Sequence, residues 1–140
     1  MSATEKIALE VAEAEFERMC RSRRIDLEEM LDGKDDGEFL ALKGRIVRTI
    51  QRGELIVDGE NGDPTYLPPV PGAKPLRFYK PTGATFMAMD GVGGKEVGQI
   101  GRMVGVLADM TRTPKGEIAK LEAPDFQFCC TLANLFLAPR

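Results

Sequence analysis

Between Thr4 and about Arg23, the apolar residues Leu9, Ala12, Phe16, Met19 and Cys20 recur at three- or four-residue steps, with Glu and Arg between them. That period predicts an amphipathic helix. Ser2 or Thr4 is placed to cap it, and Glu5 suits the positive end of its dipole. A short second helix is expected after Asp26, with Leu27, Met30 and Leu31 inward and Gly33 at its end, then a polar loop from Lys34 to Gly37. Glu38 to Gln51 carries Phe39, Leu42, Ile46, Val47 and Ile50 on one side and Lys43, Arg45, Arg48 and Arg52 on the other. This is a further amphipathic helix, closed by Gly53.

Leu55 to Val57 and Thr65 to Leu67 flank the turn-rich stretch Asp58 to Pro64, the pattern of a β-hairpin with a longer loop. Pro68, Pro69, Val70, Pro71 and Gly72 continue neither helix nor sheet, because proline lacks a donor and fixes φ, so they mark the best internal boundary. Leu76 to Tyr79 reads as a third strand. Thr82 is placed to cap a short helix carrying Phe86, Met87 and Met89, and Gly91 to Gly94 interrupts it. Val97, Ile100, Val104, Leu107 and Ala108 define the next helix. Pro114 opens a short one with Ile118 and Leu121, and Pro124 opens the last, with Phe126, Cys129, Cys130, Ala133 and Phe136 inward and Pro139 at its end. The expected fold is therefore α+β, mainly helical. It has a small antiparallel sheet (hairpin about 54–67, strand about 76–80) and a C-terminal helical segment. Residues 1–70 and 71–140 are expected to pack as one compact domain.

Of 140 residues, 43% are hydrophobic and 29% charged, which places the chain among folded globular domains rather than disordered ones. The net charge of −3 argues against binding nucleic acid or anionic membrane by bulk electrostatics. No apolar run approaches the ~18 residues of a membrane span, and residues 1–20 lack the pattern of a secretory signal, so a cytoplasmic protein is expected. The three cysteines, Cys20, Cys129 and Cys130, form no spaced framework and read as reduced core thiols.

Candidate chemistry is sparse. Gly91 to Gly98 with Lys95 suggests a phosphate loop, but a Walker loop would need glycine where Met89 stands and Ser or Thr where Glu96 stands. Glu96 also occupies the third glycine position of a dinucleotide fingerprint. The chain has no histidine, which removes the commonest general base and metal ligand. Asp35, Asp36, Asp58, Glu60 and Asp63 fall in expected loops, where solvation accounts for them. No catalytic, cofactor or metal site is assigned, and a binding protein is expected.

Three helical stretches followed by a hairpin have the order of a winged-helix DNA-binding domain. Arg45, Arg48 and Arg52 share a helix face, and Arg18, Arg21, Arg23 and Arg24 form a second cluster that could meet phosphates. Against this, residues 1–52 hold ten basic and twelve acidic groups, and the would-be wing, Asp58 to Asp63, is acidic where it would approach DNA. Nucleic acid is disfavoured.

In the second half, Leu76-Arg77-Phe78-Tyr79-Lys80-Pro81-Thr82-Gly83, a helix through Ile100 to Leu107, and Ile118-Ala119-Lys120-Leu121-Glu122-Ala123-Pro124-Asp125-Phe126 occur in that order. This arrangement, covering residues 75–138, resembles the Mu-type phage tail assembly chaperone family. Its members show a strand leading to Pro-Thr, a helix, and an Ile-x-x-Leu-x-x-x-Asp-Tyr segment before the final helix. Here Gly83-Ala84-Thr85 stands where an acidic residue often follows Pro-Thr, Asp109 stands near the usual helix-ending glycine, and Phe126 replaces the tyrosine.

The resemblance implies a protein of the host cytoplasm without a cofactor. It would bind the tape measure protein's apolar helices while tail tube protein polymerises around them, and a homo-oligomer is compatible with it. A structural virion component, such as a tail or neck adaptor, is the alternative. The last helix is the expected client surface, through Phe128, Leu132 and Leu135, which lie off its inward stripe. That assignment requires Leu132 and Leu135 to be solvent-accessible.

Overall fold

A computed structural model of the chain describes residues 7–28, 36–90 and 99–137. The elements are α1 (Leu9–Ser22), α2 (Asp36–Gln51), β1 (Leu55–Val57), β2 (Pro64–Tyr66), β3 (Leu76–Arg77), α3 (Gly83–Asp90), α4 (Gln99–Thr111), α5 (Lys115–Ala119) and α6 (Ala123–Leu137). The fold is mainly helical α+β with one three-stranded antiparallel sheet of order β1-β2-β3. The chain divides into two compact units, Met1–Arg77 and Phe78–Pro139. The division falls after β3, not at the proline stretch, because Thr65 and Tyr66 pair with Arg77 and Leu76.

In the first unit, α1 and α2 run antiparallel. The Ile7 N–H donates to the Gln51 carbonyl at 3.1 Å, and the Phe16 and Phe39 rings lie 6.3 Å apart. Ala12, Phe16, Met19 and Cys20 of α1 meet Phe39, Ile46, Val47 and Ile50 of α2 in the buried core, joined by Leu55, Val57, Tyr66 and Leu76 from one face of the sheet. Each such large side chain contributes roughly 1.5–3 kcal/mol of apolar burial.

Four local expectations are corrected here. Helix α1 begins at Leu9, not near Thr4: Ala8 is extended at ψ 148 and offers no side-chain cap. Leu9, in its first turn, is exposed. Helix α2 begins at Asp36, so Asp36 and Gly37 are helical rather than loop, and Leu42 is half-buried. The hairpin strand is Pro64–Tyr66, one residue earlier than expected. Asp58 donates its N–H to the Asp63 carbonyl at 2.9 Å, and Leu67 donates to the Glu54 carbonyl at 2.7 Å. By alternation, Val57 and Pro64 are a non-hydrogen-bonded pair, where a missing N–H costs β1 nothing.

In the second unit, α4 packs against α3, α5 and α6. Phe78 is fully buried, its ring edge-on to Phe136 at 6.5 Å, and the Tyr79 N–H donates to the Met110 carbonyl at 2.9 Å. The buried side of α4 is Val106, Leu107 and Met110, while Ile100, expected inward, is exposed. The expected helix after Asp26, the Ser2 or Thr4 cap, Asp35, the Gly91–Gly98 loop and the Pro139 stop lie wholly or largely outside the described residues.

Helices α1, α2 and α4 end in the same way. After α2, Gly53 sits at φ 76, with its N–H on the Ile50 carbonyl and that of Glu54 on Thr49. Arg24 after α1 (φ 59) and Arg112 after α4 (φ 52) occupy the equivalent left-handed position, with the same paired hydrogen bonds to Arg21 and Cys20, and to Asp109 and Ala108. These are Schellman caps, two of them with arginine where glycine is favoured.

Candidate interaction surface

The hairpin loop of the first unit, which the sequence suggested as a DNA-reading wing, is held against the end of α1. Arg23 is buried. Its Nη2 donates to Asp63 Oδ1 at 2.6 Å and its Nη1 to the Gly62 carbonyl at 3.0 Å. Arg77 reaches the other oxygen of Asp63 at 3.1 Å and Asp58 at 3.7 Å. Arg18 donates to the carbonyls of Val57, at 3.1 Å, and Asp58. Burial pulls the Arg23 guanidinium down from its ordinary value, opposed by the hydrogen bond and charge of Asp63. Backbone N–H groups of Glu60 and Asn61 hold the Asp58 carboxyl below its ordinary value, and Arg77 and Arg18 add to that.

Asp63 is therefore a buried ion-pair partner and not the solvated loop acid expected. Arg18, half-buried, and Arg23, buried, both counted towards a phosphate-facing cluster, are instead engaged by contacts within the protein. Gly62 is obligatory in this contact: it sits at φ +77, and a Cβ there would lie 2.6 Å from Ser22 Cβ.

Arg45 and Arg48 are exposed on α2, whereas Arg52 is half-buried and bridged to Glu54 at 3.2 Å. The structure thus leaves two of the three proposed DNA-facing arginines accessible on that helix and ties the third down. Lys43, on the same helix, lies 6.0 Å from the centre of the Phe16 ring and 3.9 Å from Glu13.

The expected client surface on α6 does not hold. Leu132 is 0% exposed and Leu135 2%, so neither offers a surface, and Phe128 is half-buried. Helix α6 is apolar nearly all round, and it buries Cys129, Leu132, Ala133, Leu135 and Phe136, leaving Phe126 and Cys130 at the half-buried margin. Burial raises the thiols of Cys20 and Cys129 to about 12 and that of Cys130 in the same direction, so all three stay protonated and weakly reactive at neutral pH.

Among the described residues of the second unit, the exposed large apolar side chains lie instead on α3 and α4. Phe86 is 52% exposed, Met87 74% and Ile100 67%. Among the described side chains of α3, the fully buried one is Thr85, while the Phe86 ring and the Met87 thioether face water. Hydrogen bonds accompany that orientation. Thr82 Oγ1 accepts from the Ala84 N–H at 3.2 Å and caps α3, as the sequence suggested. Thr85 Oγ1 accepts in return from the Thr82 N–H at 3.1 Å and donates to Asp109 Oδ2 on α4 at 2.8 Å.

Among the described residues, no group of three or more Cys, Asp or Glu side chains is placed to hold a metal ion, and no described helix is long and apolar enough to cross a membrane. No protein-family model, curated protein or solved structure matches this chain. The likeness to tail assembly chaperones therefore rests on the motif residues themselves.

Proposed function

We propose that the chain works by binding rather than catalysis, as a phage tail assembly chaperone that covers apolar helices of the tape measure protein. The observation that carries this reading is the exposure of Phe86 and Met87 on α3, together with the exposed Ile100 of α4. Exposed aromatic and methionine side chains are adaptable contacts for a helical client. They fall within residues 75–138, the stretch that carries the motif likeness, and Thr82 of the Pro81-Thr82 pair caps the helix that bears them. The client surface in this proposal is α3 with α4, replacing the buried face of α6.

The test is co-expression with the tape measure protein of the same phage. The wild-type chain should raise the soluble fraction of that partner and co-purify with it, and the double variant Phe86→Ser, Met87→Ser should fold yet lose both effects. A tape measure protein equally insoluble with and without the wild-type chain would sink the reading. Proteomics of finished particles separates a chaperone, which should be absent, from a structural virion component, which should be present in fixed proportion.

A further inference from the structure

We infer that Thr85 is a positioning residue: its hydrogen bond to Asp109 sets the rotation of α3 and thereby displays Phe86 and Met87. A helix turns by about 100° per residue, so a side chain at position 85 that faces α4 carries the next two roughly 100° and 200° round the axis, away from the contact. Among the described side chains of α3, the opposite rotation would hide Phe86 and Met87 in place of Thr85.

What opposes that rotation is polar. The Thr85 hydroxyl accepts from the Thr82 N–H at 3.1 Å and donates its one proton to Asp109 Oδ2 at 2.8 Å. Turning α3 would break the bond to the carboxylate, and the buried hydroxyl would lose its acceptor. Asp109 itself is exposed and lies on the neighbouring helix, so the pin joins two elements and is not merely a local cap. The inference rests on the proposed role of α3 as a binding surface, but the pin can be read out without any partner.

The experiment measures fluorescence of a hydrophobic dye on the full chain, alongside co-purification of the tape measure protein and the urea midpoint. Thr85→Val keeps the shape and removes the hydroxyl. Asp109→Ala removes the acceptor without touching α3. Both should lower dye fluorescence by about twofold or more, as α3 turns its apolar side chains inward, with the urea midpoint held or raised. Thr85→Ser, which keeps the hydroxyl, should restore the wild-type signal. Unchanged dye fluorescence in both Thr85→Val and Asp109→Ala would overturn the pin. So would a loss that Thr85→Ser fails to rescue. If the dye response follows the hydroxyl while the wild-type chain captures no tape measure protein, the pin stands and the client assignment fails.

Discussion

The two units solve the same problem, fixing a short element against a helix, with opposite chemistry. The first buries charge: Arg23 and Arg77 converge on the two oxygens of Asp63, and the hairpin loop is held to the end of α1. The second uses a neutral hydroxyl against an exposed carboxylate, Thr85 to Asp109, and leaves Phe86 and Met87 of α3 in water. Breaking a buried ion pair from one side strands a charge, at about 3–5 kcal/mol, whereas breaking the Thr85–Asp109 bond strands a neutral hydroxyl, at about 1–3 kcal/mol. The contact in the first unit is therefore the more firmly held of the two.

The sharpest way to break this contrast is Asp63→Ala, which leaves a buried guanidinium without its anion. It should destabilise the first unit by about 3–5 kcal/mol in urea unfolding. A loss below ~1 kcal/mol would show that the pair contributes no more than a surface contact. Next in size, Leu132→Ala should cost about 2–5 kcal/mol of stability as a core truncation, with client capture falling only in step with folding. Selective loss of capture at full stability would return α6 to the binding surface. Gly62→Ala should cost about 1–3 kcal/mol, from a left-handed backbone and the approach to Ser22, measured by thermal unfolding. The smallest effect divides the two arginine caps. Arg24→Gly should stabilise by up to ~1 kcal/mol. Arg112→Gly should come out near neutral, because Arg112 lies 3.8 Å over the centre of the Tyr79 ring and that cation–π contact, about 0.5–1 kcal/mol, is lost.

Much of the scaffold could be read from periodicity. The core stripes of α1 and α2, the hairpin, the third strand and the Gly53 and Thr82 caps all depend on residues within a few positions of one another. Arg23 was half legible. It continues the inward spacing of Phe16, Met19 and Cys20, which is the signature of a buried cation in need of an anion. Its partner Asp63 stands forty residues on, and no local pattern joins them.

The surface was harder to place for related reasons. Helix α6 is apolar on nearly every side, so its sequence did not distinguish a buried face from a displayed one, and the residues chosen as outward lie inside. Helix α3 is short and uncharged up to Asp90. Its orientation is decided by a hydroxyl whose acceptor is twenty-four residues away.

The proline that opens β2 has a consequence for how faithfully the hairpin forms. Pro64 is harmless where it stands, opposite Val57 in a pair that exchanges no hydrogen bond. A slip by one residue that turns β2 over would point its donorless nitrogen at β1 and carry Tyr66 out of the core. The imino acid thus favours the observed register, the one that places Asp63 against Arg23.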